Sequence, residues 1–329
     1  MTSPRPGYRI VLDGQDITPR INGRLQKLSL TDSRGDEADQ LDLTLTDHDG
    51  QLEIPRKGVE LELAIGWVAE GLVDRGLYVV DEVEHSGTPD QLTVRARSAD
   101  LTGDLAAKRS HSWHGQSIDA IVTTIAKRHG LQPRVGDALA PTAIAHIDQT
   151  EESDISFLTR LGERYDAIAT VKAGRLLFIR AGEGETASGA PIEPVTLTRG
   201  DGDSHRYRER DRDSHTGVRA HWNDLSYARK RAVIVGKEEN LKTLRETYGS
   251  EADALAAARS EWRRIRRGVA SLSYNLARGR ADLYPETPIR VSGIKPPIDR
   301  REWLTKKVSH SLSDSGYTAS LELETKGGE

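Results

Sequence analysis

Trp303-Leu304-Thr305-Lys306-Lys307-Val308-Ser309-His310-Ser311, followed at Tyr317-Thr318-Ala319 by a second apolar start, is the stretch on which the fold turns. It occurs twice. In the first third the chain runs Tyr78-Val79-Val80-Asp81-Glu82-Val83-Glu84-His85-Ser86 and then Leu92-Thr93-Val94. An aromatic, a Val-x-His-Ser and an apolar-Thr pair thus recur at the same offsets. Upstream, Pro55, Val59 and Leu61 stand at the spacing of Pro285, Ile289 and Val291. The copies are 230 positions apart in the upstream trio and 225 in the Val-x-His-Ser stretch, a difference that a shorter loop in the second copy explains. Solenoid repeats have periods of roughly 20–50 residues, so a repeat this long implies two domains of one design. Short alternating strands also resemble one another by chance, and that reading stands beside duplication.

At 329 residues the chain has room for two domains, or three if one is small. Apolar residues make up 36% and charged residues 30%, a balance that suits a folded chain with much solvated surface. No run of apolar residues is long enough to span a membrane, and residues 1–14 lack the apolar core of a secretory signal, so the protein is expected to stay in the producing cell until assembly. Without cysteine there are no disulfides, thiolate metal sites or thiol nucleophiles. The formal charge of −4 is unevenly spread: residues 1–103 hold 19 acids and 11 bases, residues 199–280 hold 12 acids and 19 bases.

From Tyr8 onward apolar and polar residues alternate between turn signals at Asp13-Gly14, Asn22-Gly23, Asp49-Gly50, Pro55 and Gly58. Leu41, Leu43 and Leu45 share one face, as do Val59, Leu61, Leu63 and Ile65, the period of two of half-buried strands. Residues 1–103 therefore read as a small antiparallel β-barrel or sandwich. Residues 104–181 read as an α/β domain. Its first helix is capped by Ser117, carries Ile118, Ile121, Val122, Ile125 and Ala126, and stops at Gly130; its second starts near Ser153 with Asp154 in the first turn. A turn at Lys172-Ala173-Gly174 links two short strands after it.

Residues 182–194, rich in Gly, Ala, Ser, Pro and Glu, read as a linker. Residues 195–329 read as a second β domain with a helical insertion over 250–267. That helix has a capping-box-like Ser250 and Asp253, an apolar stripe of Leu255, Ala258, Trp262 and Ile265, and five arginines (Arg259, Arg263, Arg264, Arg266, Arg267) in its last turns. Cations belong at that end of a helix dipole, so a solvated, dipole-stabilised terminus is the plain reading and an anionic ligand the rival one.

Sequence offers little for catalysis. There is no Gly-x-Ser-x-Gly elbow, His-Glu-x-x-His helix or phosphate loop. His111 and His114 lie three apart with Trp113 between them and no third metal ligand nearby. Asp201, Asp203 and His205 hint at a calcium loop whose glycine and downstream glutamate are out of register. His85 and His310 read as strand-end packing. The basic, aromatic segment from Arg206 and Tyr207 to Arg212 is interleaved with Glu209, Asp211 and Asp213, which cancels most of the charge that phosphate binding needs. The expectation is a protein interface there, and no catalytic, cofactor or metal site anywhere.

The most specific motif is Gln149-Thr150-Glu151-Glu152-Ser153-Asp154-Ile155-Ser156-Phe157-Leu158, with Arg160-Leu161, Tyr165 and the hairpin Gly174-Arg175-Leu176-Leu177-Phe178. Together with Gly217-Val218-Arg219-Ala220 and the closing Trp303-Leu304 and Val308-Ser309-His310, it resembles the phage late control protein D family, baseplate hubs of contractile tails, over nearly the whole chain. It is also similar to the N-terminal part of secretion-system spike proteins. The resemblance implies two similar antiparallel β-barrel tube domains with a small α/β domain between them. It further implies a structural homotrimer in the virion tail baseplate, assembled in the host cytoplasm. Its partners would be the tail tube, other baseplate proteins and a central spike, which is expected to be a separate protein because no needle-like repeat precedes Glu329. Stable nucleic-acid binding is not expected. A carbohydrate-binding or lytic tail component is the alternative.

Overall fold

The computed structural model describes residues 4–35, 39–98, 103–172, 174–182, 184, 190–209, 215–224 and 226–326. Residues 183 and 185–189 of the linker read over 182–194, Ala173 of the expected turn, and the charged residues Asp211, Arg212 and Asp213 lie outside these. The protein is mainly β with a few helices, and its largest unit is one 13-stranded, mostly antiparallel sheet.

The first part of the chain forms β1 (Pro6–Leu12), β2 (Gln15–Asp16), a short α1 (Thr18–Ile21), β3 (Leu25–Ser33), β4 (Gln40–Thr46), β5 (Glu60–Trp67), β6 (Gly71–Ser86) and β7 (Gln91–Ser98). Alternation in the sequence becomes alternation in burial: Leu41, Leu43 and Leu45 on β4, and Leu61, Leu63 and Ile65 on β5, enter one apolar cluster with Ile10, Leu28 and Leu30. The strands pair in the order β3-β4-β7-β6-β5-β1.

The middle region forms β8 (Lys108–Ser117), α2 (Ile118–Arg128), β9 (Gln132–Val135), β10 (Ala143–Ser153), α3 (Asp154–Tyr165), β11 (Ala167–Lys172) and β12 (Arg175–Arg180). Ser117 and Ser153 accept hydrogen bonds from the third backbone N–H beyond them, Ala120 and Ser156, and so start the two helices. Gly130 at φ +67° follows α2, where a left-handed residue costs glycine nothing. The apolar faces of both helices share a core with Trp113, Leu176 and Phe178.

The last part contains β13 (Val195–Thr198) and β14 (Gly202–Glu209), then an excursion of β15 (Gly217–Asp224), β16 (Arg229–Gly236), β17 (Leu241–Tyr248) and α4 (Glu251–Arg267). It returns through β18 (Ala270–Leu276), β19 (Pro288–Ser292), α5 (Pro296–Asp299), β20 (Glu302–Ser313) and β21 (Gly316–Thr325). Three strands precede the helix expected over 250–267, and Ala254, Ala257 and Ala258 of α4 pack against Val218, Ala220 and Tyr248 of their small sheet.

Leaving the excursion aside, the second set pairs in the order β14-β18-β21-β20-β19-β13, matching position for position the order of the first set. The irregularities match as well. β6 slips register between Val80 and Glu82, and β20 slips between Thr305 and Lys307, the same 225-residue offset as the sequence repeat. One difference is the outermost strand: β1 runs antiparallel to β5, whereas β13 runs parallel to β19.

The expectation of two closed barrels is not met among the described residues. β3 pairs with β20 of the second set and not with β1, so the ladder runs from one set into the other. Each half curls enough for its terminal strands to share a core, as Ile10 of β1 and Leu28 of β3 do, without joining them by hydrogen bonds.

Candidate functional site: the charged seam between the modules

A line of charged side chains, buried or partly buried, runs through both β sets and the middle region. It starts at Asp32 on β3, which is ion-paired to Arg75 on β6; both side chains are nearly inaccessible. Arg75 Nη1 also donates to the carbonyls of Ala281 (2.8 Å) and Leu283 (3.3 Å), and its guanidinium lies 3.9 Å above the Tyr284 ring. An arginine can do this because its planar fork supplies several donors at fixed angles. Two positions beyond Asp32, Arg34 pairs with both Glu286 and Glu324. Arg267, at the end of α4, lies 3.3 Å from the same Glu324 and forks onto Asp166, which ends α3 in a left-handed conformation at φ 56°.

The middle region is tied in twice. Arg267 Nη1 donates to Asp166 (2.6 Å) and to the Ala181 carbonyl (3.2 Å), and the Gly182 N–H donates to Glu286 (2.9 Å). Burial pushes the Glu286 carboxyl above its ordinary range, and the nearby Arg34 charge and the Gly182 N–H pull it only part of the way back. For Arg267, burial works against the charged form, but hydrogen bonds and charge from Asp166, with Glu324 and Glu286 behind, keep the guanidinium more firmly protonated than usual. Taking such groups out of water costs several kcal/mol per ion unless each is paired, so the network holds its elements in one arrangement rather than adding much net stability.

Three of the five arginines of α4 therefore have a role beyond a solvated helix end or an anionic ligand. Arg263 (3.3 Å) and Arg267 both reach Asp166, and Arg264 donates to Glu261 and to the Glu163 carbonyl. With Ser260 donating to the same carbonyl and Arg164 bridging to Asp253 at 2.5 Å, they dock α4 onto α3. A cavity of about 450 Å³ opens beside this contact, lined by Arg160, Glu163, Arg164, Glu246, Glu261 and Arg264, whose charges balance.

The conspicuous motif of the middle region is structural too. Gln149 Nε2 donates to Asp154 Oδ1 (2.8 Å) and to the Glu152 carbonyl (3.0 Å), while Arg128 (2.8 Å) and His129 (2.7 Å) approach the same carboxylate from the end of α2. Burial alone would raise the Asp154 carboxyl, but these hydrogen bonds together outweigh it and hold it below its ordinary value. Asp154 thus clamps the C-terminus of one helix to the N-terminus of the next. Asp154→Ala is expected to lower stability by about 1.5–3 kcal/mol, the range for hydrogen bonds to charged groups, read as a drop in the urea midpoint. Because the folded carboxyl is held low, this contribution is present above the unfolded pKa and fades as pH falls through the folded one.

The weighed metal candidates separate. His111 packs edge-on against Trp113, while His114 stacks on His146 on the neighbouring strand. Asp201 caps the turn at Thr198 (2.6 Å to its N–H), and His205 lies against Tyr274. Among the described residues no three potential ligands converge. His85, 3.3 Å from Asp47, is more than a third exposed, whereas His310 is buried and bonded to the Tyr317 hydroxyl (2.9 Å). In the basic, aromatic segment of β14, Tyr207 donates to Glu209 (2.6 Å) and Arg301 pairs with Glu209 (2.5 Å). No described helix is long and apolar enough to cross a membrane.

Comparison with known proteins places a chain with these joints in a known family. The family model described as phage tail baseplate hub (GPD) matches residues 37–316. The chain is 44% identical to the probable baseplate hub protein of Escherichia phage 186, over 99% of this chain and 94% of that protein. Its fold is similar to that of the 43 kDa tail protein of prophage MuSo2 from Shewanella oneidensis (TM-score 0.72, 17% identity, 97% of this chain and 98% of that one). It is also similar to an E. coli component of the type VI secretion system that itself has structural similarity to the T4 bacteriophage tail proteins gp27 and gp5 (TM-score 0.57, 15% identity, 91% of this chain and 73% of that one). The chain belongs to the phage tail baseplate hub (GPD) family.

Proposed function

We propose that this chain joins the tube of a contractile phage tail to its central spike as a homotrimer, each copy contributing two tube-building β modules so that three copies present six. The two modules are residues 1–103 and 195–329, the α/β domain is 104–181 and the linker 182–194; the insertion carrying the 250–267 helix extends back to include β15–β17. The observation that supports the reading is the shared strand order of the two sets, with register slips at matching residues. One chain thereby offers two near-equivalent positions, and closed cyclic symmetry is the common solution for homo-oligomers. The buried seam fits the role because it fixes the two modules relative to each other before assembly. The family is structural and not enzymatic. Native mass spectrometry of the chain bound to its tail's own spike is expected to give three copies per complex; dimers or hexamers alone would overturn the trimer.

A further inference from the structure

The contact between the two modules within one chain leaves its own counterpart unfilled. β20 pairs with β19 at residues 302–304, and further along the same edge with β3 at residues 307–313. β6, which matches β20 at the 225-residue offset, pairs with β5 only as far as Val79. Among the described residues, the edge of β6 beyond the slip at Asp81 pairs with β7 alone. The strand matching β3 is β14. β3 slips register on β4 between Leu25 and Lys27, and β14 slips on β18 between Gly202 and Ser204, so β3 maps onto β14 by 177 positions. β14 ends the strand order, with no neighbour beyond it among the described residues.

We propose that the open edge of β6 pairs antiparallel with β14 of a second copy of this chain, in the register that β20 and β3 already show. This rests on the trimer reading above and supplies its joint. Transferring the observed register gives the contacts. Ser309 opposite Thr31 becomes Glu84 opposite Arg208, His310 opposite Leu30 becomes His85 opposite Tyr207, and Ser311 opposite Ser29 becomes Ser86 opposite Arg206. At the filled junction the Ser309 and Thr31 hydroxyls already lie 3.4 Å apart, so the matching side chains at the open one meet directly.

Charge agrees with this register. Glu82 and Glu84 project from the β6 edge, each over half exposed, and share Arg95 of their own module. Arg206 and Arg208 are exposed on β14. Directly opposed unlike charges stabilise an antiparallel pair and like charges destabilise it. Two β6 edges therefore repel, whereas β6 attracts the face of β14 that carries Arg206 and Arg208; Glu209, on the other face, is already paired with Arg301. An unpaired edge otherwise invites indiscriminate pairing, and the acidic edge of β6 resists a second copy of itself. The contact is heterologous, and a ring that it closes has first and second modules alternating around it.

Because the chain has no cysteine, crosslinking tests the register directly. Glu84→Cys with Arg208→Cys, oxidised and run without reductant, is expected to give covalent trimers, since directly opposed Cβ atoms in such a pair lie about 4.5–5.5 Å apart. Val83→Cys with Arg208→Cys, on opposite faces of the sheet, is expected to stay uncrosslinked. Independently, Glu84→Arg is expected to raise the concentration needed for assembly roughly tenfold at low salt, and adding Arg208→Glu to restore it, with both effects shrinking at high salt. Trimers by native mass spectrometry without the crosslink and without the charge rescue would overturn this joint and leave the trimer standing. Crosslinked dimers that never close would keep the edge pairing and overturn the trimer. No assembly under any condition, spike included, would overturn both.

Discussion

Arg267→Ala is expected to destabilise the folded chain by about 3–5 kcal/mol, the cost of removing one partner from a buried ion pair. Asp166, nearly inaccessible at the left-handed end of α3, would lose its forked partner and be left with Arg263 at the longer distance of 3.3 Å. Glu324 would retain Arg34, so the damage falls on the joint between α3 and α4 rather than on the joint between the β modules. Two consequences separate this from simple loss of packing. Arg267→Lys should recover little, because an ammonium cannot fork onto both Asp166 oxygens while also reaching the Ala181 carbonyl. The middle region should also begin to unfold before the β modules, so that urea transitions followed by different probes cease to coincide. A loss under about 1 kcal/mol, with one shared transition, would mean that solvent reaches Asp166 and that the pair belongs with exposed ones.

The parts of this fold legible in sequence were those governed by local rules. Alternating leucines marked β4 and β5, serine caps and Gly130 bounded α2 and the start of α3, and the doubled Val-x-His-Ser stretch marked β6 and β20 as equivalent strands. What stayed hidden depended on distant partners. Arg34 meets Glu324 across 290 positions and Arg267 meets Asp166 across 101, and nothing local to either arginine announces such a partner. Helical period showed which face of α4 is apolar, but not that its charged face docks on another helix. β15–β17 were hard to see because little of each strand enters the core behind them: Val233 and Val235 on β16 and Leu244 and Tyr248 on β17 pack there, too few to set a clear period. Closed barrels were expected from the resemblance; the pairing of β3 with β20 is a non-local choice that strand periodicity does not encode.

His310 makes acid stability the sharpest consequence of the second motif. Burial, reinforced by the Arg75 charge, pulls its imidazole down from 6.5 to about 3, although Asp282 and a backbone hydrogen bond at Leu283 act the other way. Asp32 lies 3.9 Å away, already engaged by Arg75, and the Tyr317 hydroxyl holds the other ring nitrogen. The folded chain therefore keeps His310 neutral over a range in which the unfolded chain protonates it. Between those two values the unfolded state binds more protons, so stability rises with pH, by up to about 1.4 kcal/mol per unit from this group. His310→Leu should cost about 1–3 kcal/mol at pH 7.5, since it strands the Tyr317 hydroxyl, yet the variant should lose less than the parent on acidification to pH 4.5. Urea midpoints of the parent and His310→Leu at the two pH values give the answer. Equal slopes for the parent and His310→Leu would mean that His310 takes up its proton in the folded state, and that water or Asp32 reaches it through the junction of β3 and β20.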